Sequence, residues 1–297
     1  MTTPDQTNRR RFLAQATLTA GTLLSSKMAF AGMQPQAYTV QQIINLVLKE
    51  GNLKPIPDTV DTLKSGSPDQ TVTGIVTTMF ATVSVIEQAA KLKANFIIAH
   101  EPTFYNHRDD PDWVKGNEIV KKKLALLEKH KIAVWRFHDY CHSLKPDAIR
   151  FGVVKKAGWI SHYNNDTAAL TVPATTLGEL VKHLKTSLAI QKLRVVGDLS
   201  QSVSKLAIMP GAAGGQRQVA VAVAEKPDVL IVGETPEWEG VEFARDGRLL
   251  GSNMALIVLG HAVSEEPGME YFVEWLQPKI GQLKITHLAS RDPFQWV

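Results

Sequence analysis

Met254-Ala-Leu-Ile-Val-Leu-Gly-His-Ala-Val-Ser-Glu265 reads as a buried strand that runs into a helix. Its apolar run ends at Gly260, and a histidine and a carboxylate follow four residues apart. Ser264 is expected to cap the helix, with Glu265 in its first turn. Strand ends are rigid platforms and first-turn residues point back toward them. His261 and Glu265 can therefore converge on one point, as two metal ligands must.

Upstream, strands and helices alternate. Residues 38–50 carry apolar side chains at helical spacing (Val40, Ile43, Ile44, Val47, Leu48) and end at Gly51. Residues 55–70, rich in Pro, Gly, Ser and Asp, read as loop. Strand-like 72–78, helical 84–92, strand 95–99, the lysine-faced helix 116–130 and strand 132–135 follow. This order argues for an α/β layer with a mostly parallel sheet. A second unit begins at 167, with strands at 167–172, 192–196, 205–209 and 229–232 and helices at 176–187 and 216–225. Strand 254–259 and a last helix, 268–276, are expected to return to the first sheet. The expected fold is α/β with two lobes and a metal site in the cleft. Residues 38–160 plus 250–297 form the first lobe, which carries the metal ligands, and 165–249 form the inserted one.

Two further strand ends carry metal-competent side chains. Ala99-His100-Glu101-Pro102 follows the strand at 95–99, at the edge where open α/β sheets place their sites. Arg136-Phe137-His138-Asp139-Tyr140-Cys141-His142 follows the next strand, with two of the nine histidines four residues apart. Each cluster alone also reads as a solvated turn. Three strand ends presenting His with a carboxylate or a second His favour metal over turn. Imidazole with carboxylate suits Zn, Fe, Mn or Ni, and argues against Ca or Mg alone. Cys141 is either a further soft ligand or, more simply, a small packing residue.

Other motifs are weaker. Pro210-Gly-Ala-Ala-Gly-Gly215 before a helix can offer backbone N–H groups to a phosphate, but it lacks the lysine of a P-loop and reads as a tight turn. Glu234 either faces the same cleft or starts a helix. His107 lies in a polar loop and reads as solvated, and Trp275 reads as core. No Gly-x-Ser-x-Gly elbow or cysteine-enzyme signature supplies a nucleophile.

Asn8-Arg9-Arg10-Arg11-Phe12-Leu13 reads as a twin-arginine export motif. A short apolar stretch follows, and then Ala29-Phe30-Ala31 as a cleavage site, so 1–31 are expected to be a leader. The leader holds four basic residues and one acidic residue. Removing them from the 33 and 29 of the whole chain leaves 29 and 28, a net charge of +1 in place of +4. The basic balance then gives no reason to expect nucleic acid as a partner. The single cysteine rules out an internal disulfide. The expected destination is the periplasm or the medium, with the twin-arginine translocase as partner during export. That route carries folded proteins, often with a cofactor already inserted.

Five segments together resemble the Nif-three-like dinuclear metal-centre proteins, some bacterial members of which carry the label GTP cyclohydrolase type 2 homologue. They are 94–102, 135–142, Val195-Val-Gly-Asp198, 210–215 and 260–265, and the likeness runs from about Val40 to Leu288. The resemblance implies a two-lobed α/β protein in a homohexameric ring, with two divalent metal ions per subunit. It implies His100, Glu101, His142, His261 and Glu265 as ligands. The family pattern has a second histidine where Glu101 stands and an aspartate where His142 stands, so a carboxylate and an imidazole have exchanged places. Asp139 is the alternative carboxylate ligand. The expected function is a metal-dependent hydrolase of a small molecule, cyclohydrolase or phosphoester in type. Glu265 or Glu101 would bridge the metals, and His138 would act as general base or orient a ligand. The alternatives are a metal-binding or metal-delivery protein, or a scaffold whose ring is the function.

Overall fold

The computed structural model describes residues 37–297 apart from 165, 166 and 296. The expected leader, 1–31, lies outside the described residues. In chain order the elements are α1 (Val40–Glu50), β1 (Leu63–Ser65), β2 (Ile75–Thr78), α2 (Val83–Lys91), β3 (Phe96–Ala99), α3 (Glu118–Lys129), β4 (Ala133–Arg136), α4 (Asp139–Ser143) and α5 (Ala148–Lys156). They continue with β5 (Ala169–Thr176), α6 (Leu177–Ser187), β6 (Arg194–Val196), β7 (Ser202–Met209), α7 (Gly215–Glu225), β8 (Val229–Val232), α8 (Glu242–Leu249), β9 (Ala255–Val258), α9 (His261–Ile280) and β10 (Ile285–His287).

The strands form two five-stranded sheets, ordered β1-β4-β3-β2-β10 and β5-β7-β8-β9-β6. β10, β2, β3 and β4 are mutually parallel, as are β7, β8 and β9. Every residue of β2, β3, β4, β8 and β9 is buried. Strands covered on both faces need short, unbroken apolar runs, which is why Phe96-Ile-Ile-Ala99 and Ala255-Leu-Ile-Val258 look alike. The mixed α/β architecture agrees with the sequence reading. Helix α1 opens on a capping box between Thr39 and Gln42.

One expectation is corrected. β9 does not return to the first sheet: it pairs in parallel with β8, Val229 opposite Ala255, and antiparallel with β6. The chain crosses back one element later, through α9, which packs on the first core through Met269, Phe272 and Leu276. Helix α9 is also longer than 268–276 and carries Pro267 and Pro278 inside it. It lies directly on α5. A Cβ at Gly152 would fall 2.3 Å from the Pro267 carbonyl oxygen, and one at Gly268 would fall 2.5 Å from Ile149 Cα. Only glycine permits that approach.

Candidate metal centre

The C-terminal ends of β3 and β4 in one sheet and of β7, β8 and β9 in the other open on one cleft of about 1260 Å³. Glu101, His138, Pro210, Glu234 and His261, one just beyond each strand, all line it. Strand ends at such an edge are where open α/β sheets bind ligands.

His100, just beyond β3, is fully buried. Its Nδ1 lies 3.1 Å from the Phe137 carbonyl oxygen. A carbonyl only accepts, so Nδ1 holds a proton and Nε2 faces the cleft. Nε2 has no hydrogen-bond partner and lies 3.6 Å from Glu265 Oε2. An imidazole anchored at one nitrogen and orphaned at the other is the arrangement that a metal ligand needs. Burial opposes charge on His100, but the Glu265 carboxylate outweighs it, and its pKa lies well above the usual imidazole value.

Two groups of ligand atoms, each within 4.8 Å of one another, share His100: His100 with His138 and His142, and His100 with Glu101 and Glu265. Either group could hold a metal ion. His261 Nε2 stands 3.1 Å from Glu265 Oε2 and 3.3 Å from Glu101 Oε1. Burial pushes both carboxylates up, but the histidines around them win: Glu265 is held well below the carboxylate range and Glu101 is also lowered. Burial pushes His261 down, yet Glu101, Glu234 and Glu265 raise it to about 11. A buried pocket that holds this much negative charge favours a cation, and a divalent ion can replace the ligand protons.

The outer contacts fix the candidate ligands. Arg136, fully buried, donates from Nη2 to Glu101 Oε2 at 3.3 Å and from Nε to the His100 carbonyl at 3.4 Å. His142 Nδ1 lies 3.2 Å from Asp147, which also caps α5. His138 Nδ1 lies 2.9 Å from Asp139 Oδ1, and Thr59 Oγ1 donates to the other Asp139 oxygen at 2.8 Å. Burial, then His100 nearby, holds His138 down to about 4, so its imidazole is neutral at neutral pH. Asp61 accepts from the backbone N–H groups of His138, Asp139 and Tyr140, and so holds the first turn of α4.

The structure thus gathers His100, Glu101, His138, His142, His261 and Glu265 in one cleft. It groups His142 with the other histidines and turns Asp139 to His138 instead. Cys141 packs in the first core, and burial pushes its thiol up to about 11. Ser264 does not cap: α9 begins at His261, and the Ser264 hydroxyl donates to the His261 carbonyl at 2.7 Å while accepting from Gly211 N–H at 2.9 Å. Glu265 therefore sits one turn inside α9. Glu234 does face the cleft, 3.5 Å from His261 Nδ1. His107 is exposed but close, its ring 5.7 Å from that of His138. Asp61, Thr59 and Asp147 were not foreseen. Asp147 before the apolar Ala148-Ile149 was the one visible cue, as a helix cap.

Residues 59–293 match the family model for Duf34/NIF3 (NGG1p interacting factor 3), and the chain belongs to that family. Among curated relatives, the GTP cyclohydrolase 1 type 2 homolog of Clostridium perfringens is 24% identical over 273 residues, covering 87% of this chain and 99% of that one. The protein of the same name from Neisseria meningitidis serogroup B is 26% identical over 227 residues, covering 74% and 84%. Among solved structures, a Bacillus cereus protein related to NIF3 shares the fold with a TM-score of 0.69 at 17% identity, covering 88% and 99%. Reduced HcgD from Methanocaldococcus jannaschii does so with a TM-score of 0.63 at 19% identity, covering 86% and 99%.

Proposed function

We propose that the protein is a metal-dependent hydrolase whose cleft holds two divalent cations. The carrying observation is the overlap of two ligand groups on His100, one with His138 and His142, the other with Glu101 and Glu265. His261 stands beside both carboxylates of the second group. When bound, such cations supply Lewis acidity and bring the pKa of a water molecule near neutrality. Asp139 holds His138 in one tautomer, leaving the Nε2 lone pair either to hold a cation or to accept a proton from the attacking group. Arg136 donates to Glu101 Oε2 and aims the carboxylate into the cleft. Cys141, the chain's one cysteine, is a buried thiol and offers no competing nucleophile.

Elemental analysis of protein purified from its own export route tests the metal. Fewer than one ion per subunit overturns the proposal, and His261→Ala should remove most of it. His138→Ala separates two roles. As base it keeps the metal and loses about 10²–10⁴-fold in turnover; as ligand it loses metal as well. The relatives' name makes GTP one substrate to assay, beside phosphoesters and cyclic amides. Export of the folded protein by the twin-arginine route is supported by Arg9-Arg10-Arg11 and Ala29-Phe30-Ala31, and mass spectrometry of the mature N-terminus checks it. A hexameric ring, supported by the family resemblance, is checked by light scattering.

A further inference from the structure

Three histidines of the candidate centre are anchored in the same way. Nδ1 of His100 lies 3.1 Å from the Phe137 carbonyl oxygen, that of His138 2.9 Å from Asp139 and that of His142 3.2 Å from Asp147. An acceptor at Nδ1 keeps the proton there and frees Nε2 for a cation. His261 is the fourth histidine of the centre. Its Nε2 stands beside Glu265 and Glu101, and its Nδ1 faces Glu234 Oε2 at 3.5 Å.

The backbone fixes this meeting. Glu234 N–H donates to the Gly211 carbonyl at 3.0 Å, and the Glu234 carbonyl accepts from Nε2 of the fully buried Gln218 at 2.8 Å. Gly211 N–H donates to the Ser264 hydroxyl at 2.9 Å, and that hydroxyl donates to the His261 carbonyl at 2.7 Å. A chain of hydrogen bonds thus runs from Glu234 through Gly211 and Ser264 to His261, across the ends of β8, β7 and β9. It needs a glycine before Glu234, because a Cβ at Gly233 would fall 2.4 Å from both Gly211 N and Ser264 Oγ. The side chain so held is itself open: Glu234 is 54% exposed, against 28% for Asp139 and 18% for Asp147. Core packing does not account for its place, and it can be replaced without opening the core.

We propose that Glu234 is the positioning residue of His261, accepting from Nδ1–H so that Nε2 is presented to a bound cation. A carboxylate behind an imidazole holds the ring's orientation and tautomer and makes Nε2 a stronger donor to metal. The proposal rests on the metal-binding part of the proposed function and does not depend on hydrolysis.

Calorimetry with zinc, and histidine-selective NMR of the zinc-loaded protein, test it. Glu234→Ala should weaken zinc binding about 10–100-fold, with the number of sites and the denaturation midpoint of the metal-free protein unchanged. The Nδ1–H proton of His261, protected in the native protein, should be lost to exchange with water. Glu234→Gln keeps an acceptor oxygen and should recover most of the affinity and the signal. Native affinity with a protected Nδ1–H in Glu234→Ala overturns the proposal. Equal losses in the two variants also overturn it, since charge and not the hydrogen bond would then decide. Loss of a whole zinc site overturns it too, and makes Glu234 a ligand. No zinc uptake by the native protein sinks the metal reading and the proposal with it, whereas native uptake that Glu234→Ala leaves unchanged sinks the proposal alone.

Discussion

Gly211 lies against Glu265 so closely that a Cβ at position 211 would fall 1.9 Å from Oε1. Gly211 stands two residues beyond β7, and Glu265 lies one turn into α9, which follows β9 of the same sheet, so this contact packs the carboxylate against the turn after β7. Gly211 also has φ +72°, where a Cβ is strained whatever the space. Gly211→Ala should therefore destabilise by about 1–3 kcal/mol and displace Glu265 as well. Urea denaturation and metal content, measured together, check this. A stable variant with full metal would mean that the carboxylate can move without consequence.

Asp61 acts from outside the ligand set. Its two oxygens take three backbone N–H groups at the start of α4, the turn that presents His138 and His142. Asp61→Ala leaves those donors without their acceptor and should cost roughly 3 kcal/mol. Asp61→Asn keeps one acceptor oxygen and should cost less. If Asp61 positions ligands, metal affinity should fall in the same order as stability.

The histidines of the candidate site were legible for a physical reason. His100, His138 and His261 stand one, two and three residues beyond fully buried strands, where packing alone would place nothing so polar. Asp61 was illegible because it sits in a loop-like stretch and its partners are 77 to 79 residues away. The sheet that receives β9 was equally hidden, because a four-residue apolar strand carries no mark of its neighbour. Ser264 was misread as a cap because Gly260, at φ +105°, lets α9 begin four residues earlier. The helix passes through Pro267, where Gly152 and Gly268 allow α5 and α9 to approach closely.

Lys123 gives a pH test. It is buried, donates to the Thr103 carbonyl at 2.7 Å, and burial holds its pKa down to about 8. The unfolded chain's lysine titrates near 10.4, so between about pH 8 and 10.4 the unfolded state binds more protons. Stability from this group therefore rises with pH across that window. Below pH 8 both states are protonated, and the cost of the buried charge is fully present. Relative to Lys123→Met, the native protein should gain roughly 2 kcal/mol between pH 7 and 10. Parallel denaturation curves at the two pH values check it, and a constant difference would mean that Lys123 stays charged throughout.

Arg136 and Glu101 form an ion pair at 3.3 Å with almost no solvent access, whereas Lys121 and Glu118 form one at 3.0 Å on the exposed surface. Distance alone would rank the exposed pair higher, but water screens it and leaves about 0.3 kcal/mol. The buried pair pays desolvation on both charges, so its removal as a pair can be nearly neutral, while removal of one partner strands the other at about 3–5 kcal/mol. Arg136→Met and Glu101→Gln should thus each destabilise strongly, and the double variant by much less than their sum. The same cycle at Lys121 and Glu118 should show almost no coupling. Additive losses at Arg136 and Glu101 would mean that Glu101 is held by its histidines alone, and that the arginine serves only the carbonyls of His100 and His107.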